Sequence, residues 1–347
     1  MKTVKVALGY SIPFFELKHL FLISIALACL PCTGCKKQSE APAPVSVIFD
    51  TDMGPDYDDV GALALLHALA DSGEVKILAT FSSNMYTNSV PCIEVINTYF
   101  GRPDIPLGAP HKGVNIVEQR FAGRDDYWAV NLPKRYPHKI KRTEEAPDAV
   151  AVYRQVLSVQ PDTSVNIIST GFFTNLAALL QSPPDKYSDL DGKTLVNKKV
   201  RRLISMAGYF PQGREFNVCT DSAASVIVFE QWPAPITLSG FEIGVKILTG
   251  KRLVASEIKN SPVKDVFSMG LIVDINGRMS WDETAALVGA RGCRDYFGTV
   301  KGRMIVDPSG NNTWKDDPNG PMEHLVWKMP KEQLTRTIED LMMHQPK

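Results

Sequence analysis

Short runs rich in β-branched residues recur along the chain, each followed by a stretch of helical length. Val45–Phe49 (VSVIF), Val75–Ser82 (VKILATFS), Val165–Ser169 (VNIIS), Val200–Ser205 and Pro235–Leu238 read as strands. The first is apolar throughout its core, as expected of a strand buried on both faces. Helical stretches fall at about Val60–Leu69, Val90–Phe100, Ala149–Val159, Asn175–Leu180 and Ser222–Phe229. This alternation predicts an α/β fold: a mainly parallel sheet with helices on both faces. In such sheets ligands bind beyond the carboxyl ends of the strands. Two stretches break the pattern. Residues 110–145 are rich in charged and aromatic side chains and read as an inserted lid region. Residues 307–320 (DPSGNNTWKDDPNG) are dense in turn formers and read as a hairpin tip, ahead of a closing helix at Lys331–Met343. There is no internal repeat, and no Walker or GxGxxG phosphate loop.

The first 34 residues read as a targeting segment. Lys2, Lys5 and Lys18 precede an apolar run from Leu20 to Leu30, shorter than a membrane span. Small residues then lead to Cys35, as in a bacterial lipoprotein signal in which that cysteine becomes the lipidated N-terminus. The expectation is a signal peptide over 1–34, a tether over 35–44 and a single catalytic domain over 45–347, exported to the periplasm or cell surface and held by the lipid on Cys35. A plain secretory signal or a single apolar anchor is the alternative. The whole chain has 38 basic and 38 acidic residues. Removing the three lysines and one glutamate of 1–34 leaves 35 and 37, a net charge of about −2. No basic field points to a nucleic-acid polymer. Past Cys35 only Cys92, Cys219 and Cys293 remain, widely spaced and without a CxxC pair, which argues against a zinc site or a disulfide framework.

Asp50-Thr51-Asp52-Met53-Gly54-Pro55-Asp56-Tyr57-Asp58-Asp59 follows the first strand directly. Five carboxylates in ten residues repel one another, and all are ionised together only beside a cation or strong donors. Hard oxygen ligands suit Ca²⁺ or Mg²⁺. The bland alternative is an acidic solvated turn that caps the next helix.

The cluster is similar to the Asp-x-Asp-Pro-Gly-x-Asp-Asp element of the calcium-dependent nucleoside hydrolase family, of the inosine/uridine-preferring type, with two extra residues and Met53 in place of Pro. Four further elements agree in order: Asn84 at the end of the second strand, Thr170-Gly171-Phe172-Phe173-Thr174-Asn175-Leu176-Ala177, Glu215-Phe216-Asn217, and Asp282. The resemblance implies a nucleoside-hydrolase-like fold from about Val45 to Leu287, a dimer or tetramer, and a ribonucleoside substrate. It implies Ca²⁺ held by Asp52, Asp59, the Thr170 carbonyl and Asp282, with Asp52 as the base toward water. It assigns the sugar hydroxyls to Asp58, Asn84, Glu215 and Asn217, and the two-residue insertion leaves Asp56 as an alternative to Asp58 or Asp52.

Each residue also has a structural reading. Asn84 suits a strand-end turn, Thr174-Asn175 a helix N-cap, Glu215 and Asn217 a polar surface, and Asp282 the first turn of a helix. Trp281 stands where many members of the family carry a histidine that protonates the leaving base. A tryptophan stacks on a planar ring but donates no proton to it. His67 reads as structural, while His111 and His138 fall in the lid region. Two other functions compete. Asp50-x-Asp52 after a strand also resembles the haloacid-dehalogenase phosphatases, and a non-catalytic tethered nucleoside or sugar receptor would keep the same pocket.

Overall fold

A computed structural model describes residues 43–116, 123, 124 and 126–346. The expected export signal and Cys35 lie outside the described residues, and residues 43–347 form one compact unit.

The five expected strands all form: β1 (Val45–Thr51), β2 (Val75–Ser82), β3 (Val165–Ser169), β4 (Val200–Met206) and β5 (Ile236–Ser239). A meander of β6 (Phe297–Val306), β7 (Asn312–Asp316) and β8 (Met322–Trp327) extends the same sheet. The order runs β2-β1-β3-β4-β5-β8-β6-β7, with two-residue strands Leu107–Gly108 and Gln212–Gly213 at the edges. Pairing is parallel from Leu107–Gly108 through β8 and antiparallel across the meander. The chain steps outward from β1 to β2 and then returns to the other side of β1 for β3. This reversal opens a crevice at the carboxyl ends of β1 and β3.

Alternate side chains of β1 enter two cores. Val47 and Phe49 join the layer of α1 (Asp58–Asp71), α2 (Ser89–Tyr99) and the later helices α6 (Trp281–Arg291) and α7 (Lys331–Met342). Ile48 joins the opposite layer of α3 (Ala149–Ser158), α4 (Thr174–Leu180) and α5 (Ser222–Gln231). A strand covered on both faces contributes about 1.5–3 kcal/mol for each large side chain removed from water. That is why Val47, Ile48 and Phe49 are all apolar.

Three expectations change. Residues 307–320 are not a hairpin tip but two turns flanking β7, because Trp314 and Asn312 are buried. Asn312 exchanges bonds with the backbone of Tyr209 at 2.7 and 3.0 Å, and Trp314 packs edge-on against Phe210. In the expected lid region, Trp128–Arg135 is a helix that buries Trp128, Ala129 and Leu132, and the Cys92 thiol bonds the carbonyl of Ala129. None of its described residues lines the crevice. Thr174 and Asn175 do not cap α4, whose cap position is Phe173 and carries no side-chain bond. Their polar groups are drawn instead to Asp221 and to Asp50.

Candidate active site

The turn after β1 is held from several sides. Gly54 has φ 144°, a conformation that side chains disfavour, and its carbonyl accepts the Tyr127 hydroxyl. The Thr170-Gly171 turn lies directly against it. A Cβ on Gly171 would stand 2.3 Å from the Asp52 nitrogen, so only glycine allows the two strand ends to approach this closely.

A cavity of about 210 Å³ opens at the carboxyl ends of β1, β3 and β4. Eight of the ten residues singled out in the sequence line it: Asp52, Asp56, Asp58, Thr170, Glu215, Asn217, Trp281 and Asp282. The other two, Asp59 and Asn84, are fully buried behind residues that do. Asn84 donates from Nδ2 to the Asp52 carbonyl at 3.1 Å and accepts from the Tyr86 nitrogen. It therefore fixes the backbone that carries Asp52. Asp59 accepts the Thr51 hydroxyl through Oδ1.

Asp50 is outside the cavity lining. It accepts the Tyr153 hydroxyl at 2.8 Å and the Asn175 amide at 3.1 Å, and burial raises its pKa to about 7. A carboxylate tied in this way is not presented as the nucleophile that a phosphatase would need.

Asp58 ties three elements together. Its Oδ1 accepts from Arg278 Nε at 2.9 Å and Nη2 at 2.6 Å. Its Oδ2 accepts from the backbone nitrogens of Trp281 and Asp282 at 3.2 and 3.3 Å. Asp58 thus caps α6 from another element, since the hydroxyl of Ser280 at the cap position is turned to Thr249 and not to the helix. A carboxylate offers about four acceptor directions, and four donors already occupy these. Burial lifts its pKa to about 6 against the lowering pull of Arg278.

Sequence reasoning missed Arg278. Its side chain is only 9 % exposed, bridges Asp56 and Asp58, and lies over the rings of Tyr57 and Trp281, 5.1 Å from each centroid. The available signal was the cluster's need for a cation, with Arg278 the basic residue nearest Asp282 in the chain. Phe241 was also missed. Its ring lies 5.0 Å from that of Trp281, whose indole N–H donates to the Phe241 carbonyl at 2.9 Å. Together they form an aromatic wall on the cavity.

On the opposite wall Glu215 accepts from the nitrogens of Asn217, Val218 and Gly208 at 2.9–3.3 Å, and burial raises its pKa to about 7. Asn217 donates from Nδ2 to the carbonyls of Thr170 and Met206, each at 3.2 Å. None of the lining residues is a histidine. His67 is buried on Asn97, with its pKa lowered to about 3 mainly by burial. His111 is exposed and His138 bonds the Tyr136 carbonyl.

Asp52, Asp59 and Asp282 come from the end of β1, the start of α1 and the start of α6. Burial, and then the charge of neighbouring aspartates, Asp56 and Asp58 among them, pushes all three well above the usual carboxylate range. Arg278 pairs with Asp56, Asp58 and Asp274, not with these three. Asp59 Oδ2 and Thr170 Oγ1 are buried without a hydrogen-bond partner among the described residues. Oxygen donors with unmet charge fit a hard divalent cation. Among the described residues no three His, Cys, Asp or Glu side chains already converge to ligating distance. Asp59 is turned onto the Thr51 hydroxyl, as expected where like charges repel one another.

The model of the inosine-uridine preferring nucleoside hydrolase family matches residues 47–327. The pyrimidine-specific ribonucleoside hydrolase RihA of Citrobacter koseri is 30 % identical over 209 residues, 57 % of this chain. The match spans 60 % of that relative's length. Among solved structures, the inosine-uridine preferring nucleoside hydrolase of Bacillus anthracis aligns with a TM-score of 0.65 at 19 % identity, covering 86 % of this chain and 99 % of that one. The purine-preferring ribonucleoside hydrolase of Gardnerella vaginalis aligns with a TM-score of 0.64 at 18 % identity, with the same coverage. The fold is shared with these structures, and by the match across residues 47–327 the chain belongs to the inosine-uridine preferring nucleoside hydrolase family.

Proposed function

We propose that the protein hydrolyses the N-glycosidic bond of ribonucleosides to ribose and free base, with a bound Ca²⁺. The observation that carries this is the convergence of Asp52, Asp56, Thr170, Glu215, Asn217 and Asp282 on one cavity at the switch point of the sheet. The family is generally metal-dependent. Asp52, Asp59, Asp282 and the Thr170 carbonyl would hold the ion, which when bound makes a water nucleophilic at neutral pH and orients it. Asp52, presented at the cavity by Asn84, takes the proton of the attacking water. Negative side chains around the sugar favour the positive charge that develops on it.

For the sugar hydroxyls, Asp56 replaces Asp58. Both line the cavity, but Asp58 has its acceptor directions filled, whereas Asp56 makes a single bond among the described residues, to Arg278. Glu215 and Asn217 complete the polar wall. Trp281 and Phe241 supply a flat face for the leaving base. The relatives prefer pyrimidine, purine or inosine-uridine substrates, so the base preference of this chain rests on its own aromatic wall. We also propose export and lipid attachment through Cys35.

The test is ribose release from a panel of purine and pyrimidine ribonucleosides, with Ca²⁺, with chelator, and with Asp52→Ala. Calcium-dependent release that the substitution abolishes supports the hydrolase. Calcium-dependent nucleoside binding with no ribose overturns it and leaves a receptor.

A further inference from the structure

A second, larger cavity lies at the other end of the sheet. It measures about 480 Å³ and opens at the amino ends of β1, β3, β4 and β5, where Val45, Asn166, Arg202 and Thr237 line it. The acidic site lies at the carboxyl ends of the same strands, so the two cavities are on opposite edges of the sheet.

Four guanidinium groups line this cavity, those of Arg201, Arg202, Arg291 and Arg294, against one carboxylate, Glu323. Two of the four are neutralised. Arg202 pairs with Glu323 at 2.6 Å, and Arg291 pairs with Glu74 through two bonds of 2.7 and 2.8 Å. The other two are not in an ion pair with any described residue. Arg201 is held at Nε by the neutral amide oxygen of Asn166 at 3.0 Å, and Asn166 is itself fixed by donating to the Gly289 carbonyl at 2.8 Å. This orients the Arg201 fork without using its charge and leaves its terminal nitrogens for a ligand. Arg294 is exposed, on the loop that follows α6. The carbonyl end of α6 borders the cavity and alone would repel an anion. Arg294, three residues past its last turn, brings a positive charge to that end.

We propose that this cavity binds a phosphate-bearing anion through Arg201 and Arg294. Planar guanidinium forks match phosphate oxygens two at a time, and two unneutralised forks in one concave site suit a phosphoryl group better than a single carboxylate. Phosphate of this kind comes from a soluble phosphate ester or from a phospholipid headgroup. The second source follows from chain direction. Val45, the first residue of β1, lines the cavity. If Cys35 is lipidated as proposed above, residues 36–44 span at most about 30 Å, which keeps this edge near the bilayer. The anion site itself does not depend on that anchor.

The experiment compares the full chain with an Arg201→Glu/Arg294→Glu variant, both in chelator so that no anion binds through a metal ion. One arm titrates pyrophosphate by calorimetry. The other measures pelleting with phosphatidylglycerol vesicles against phosphatidylcholine vesicles, with the apolar N-terminal run common to both proteins. The expected result is saturable, salt-sensitive binding that the variant weakens at least tenfold. Loss in the pyrophosphate arm identifies a soluble ligand, and loss only of the phosphatidylglycerol preference identifies the headgroup. Ribose release in Ca²⁺ is expected to be unchanged in the variant, which separates failure here from failure of the hydrolase assignment. If neither probe binds, or the variant binds both as well as the unmodified chain, the proposal is overturned.

Discussion

Replacing Arg278 by methionine tests how the acidic turn is held together. The change keeps most of the buried stem and removes the guanidinium. Asp58 would lose both Arg278 bonds, at 2.9 and 2.6 Å, and keep only the longer ones from the nitrogens of Trp281 and Asp282. Asp58 is 2 % exposed, so water does not replace the lost donors. Removing one partner of a buried ion pair costs about 3–5 kcal/mol. For a chain of this size each kcal/mol moves the melting temperature by roughly 1.5–2 °C, so a fall of about 5–10 °C is expected. The loss also depends on pH in a defined direction. Arg278 holds the Asp58 pKa down near 6 against burial. Without it the carboxyl takes up a proton, so the deficit is small at pH 5 and grows toward pH 8, by about 1.4 kcal/mol per unit while the native acid stays protonated. Thermal unfolding of the wild type, Arg278→Met, Asp58→Asn and the double variant across that range measures the coupling directly. The double variant should recover much of the loss, since a neutral amide needs no counter-charge. The reasoning fails if Arg278→Met unfolds within about 2 °C of wild type at pH 8, or if its deficit does not change with pH.

The same site yields further expectations. Asp56→Asn should raise the nucleoside KM several-fold with little change in melting temperature, whereas Asp58→Asn should act chiefly on stability; the reverse pattern restores the sugar role to Asp58. Gly171→Ala should destabilise by about 1–3 kcal/mol, read from the urea midpoint, because its methyl group meets the Asp52 backbone at 2.3 Å; an unshifted midpoint contradicts the close approach. Trp281→Ala should raise KM about 3- to 10-fold while Trp281→Phe nearly restores it, as expected for a stack worth about 0.5–1.5 kcal/mol; equal KM values for both variants remove the tryptophan from the base subsite. In chelator, stability should fall as pH rises from about 5 to 8, because Asp50 and Glu215 titrate near 7 in the fold and at lower pH once unfolded; a flat or rising melting temperature over that range refutes those environments.

The parallel half of the sheet was legible because its signals are local. Val75–Ser82 and Val165–Ser169 form strands with the expected bounds, and α1 and α3 end within two residues of expectation. A run of β-branched residues buried on both faces has few alternatives. The meander was hidden because 307–320 is full of turn formers, and only the burial of Trp314 and Asn312 shows that the middle of it is a strand. The cap reading of Thr174-Asn175 failed for a related reason. A local preference for capping yielded to the stronger demand of Asp50, 125 residues earlier, for a buried donor.

The two extra residues of the aspartate turn left open which carboxylate meets the sugar, and spacing alone could not decide it. The choice of Asp56 proposed above rests on a residue 220 positions downstream of Asp58. Arg278 draws Asp58 into a cap for α6 and also takes one bond to Asp56, so the insertion and the arginine make sense only together. Without Arg278, Asp56 would add another uncompensated charge to a crowded turn. With it, Asp58 becomes a structural anchor and Asp56 keeps free acceptor directions on the cavity wall. The lysines and arginines of a sequence are therefore as informative as its acids wherever carboxylates cluster after a buried strand, because each buried charge has to find its partner somewhere along the chain.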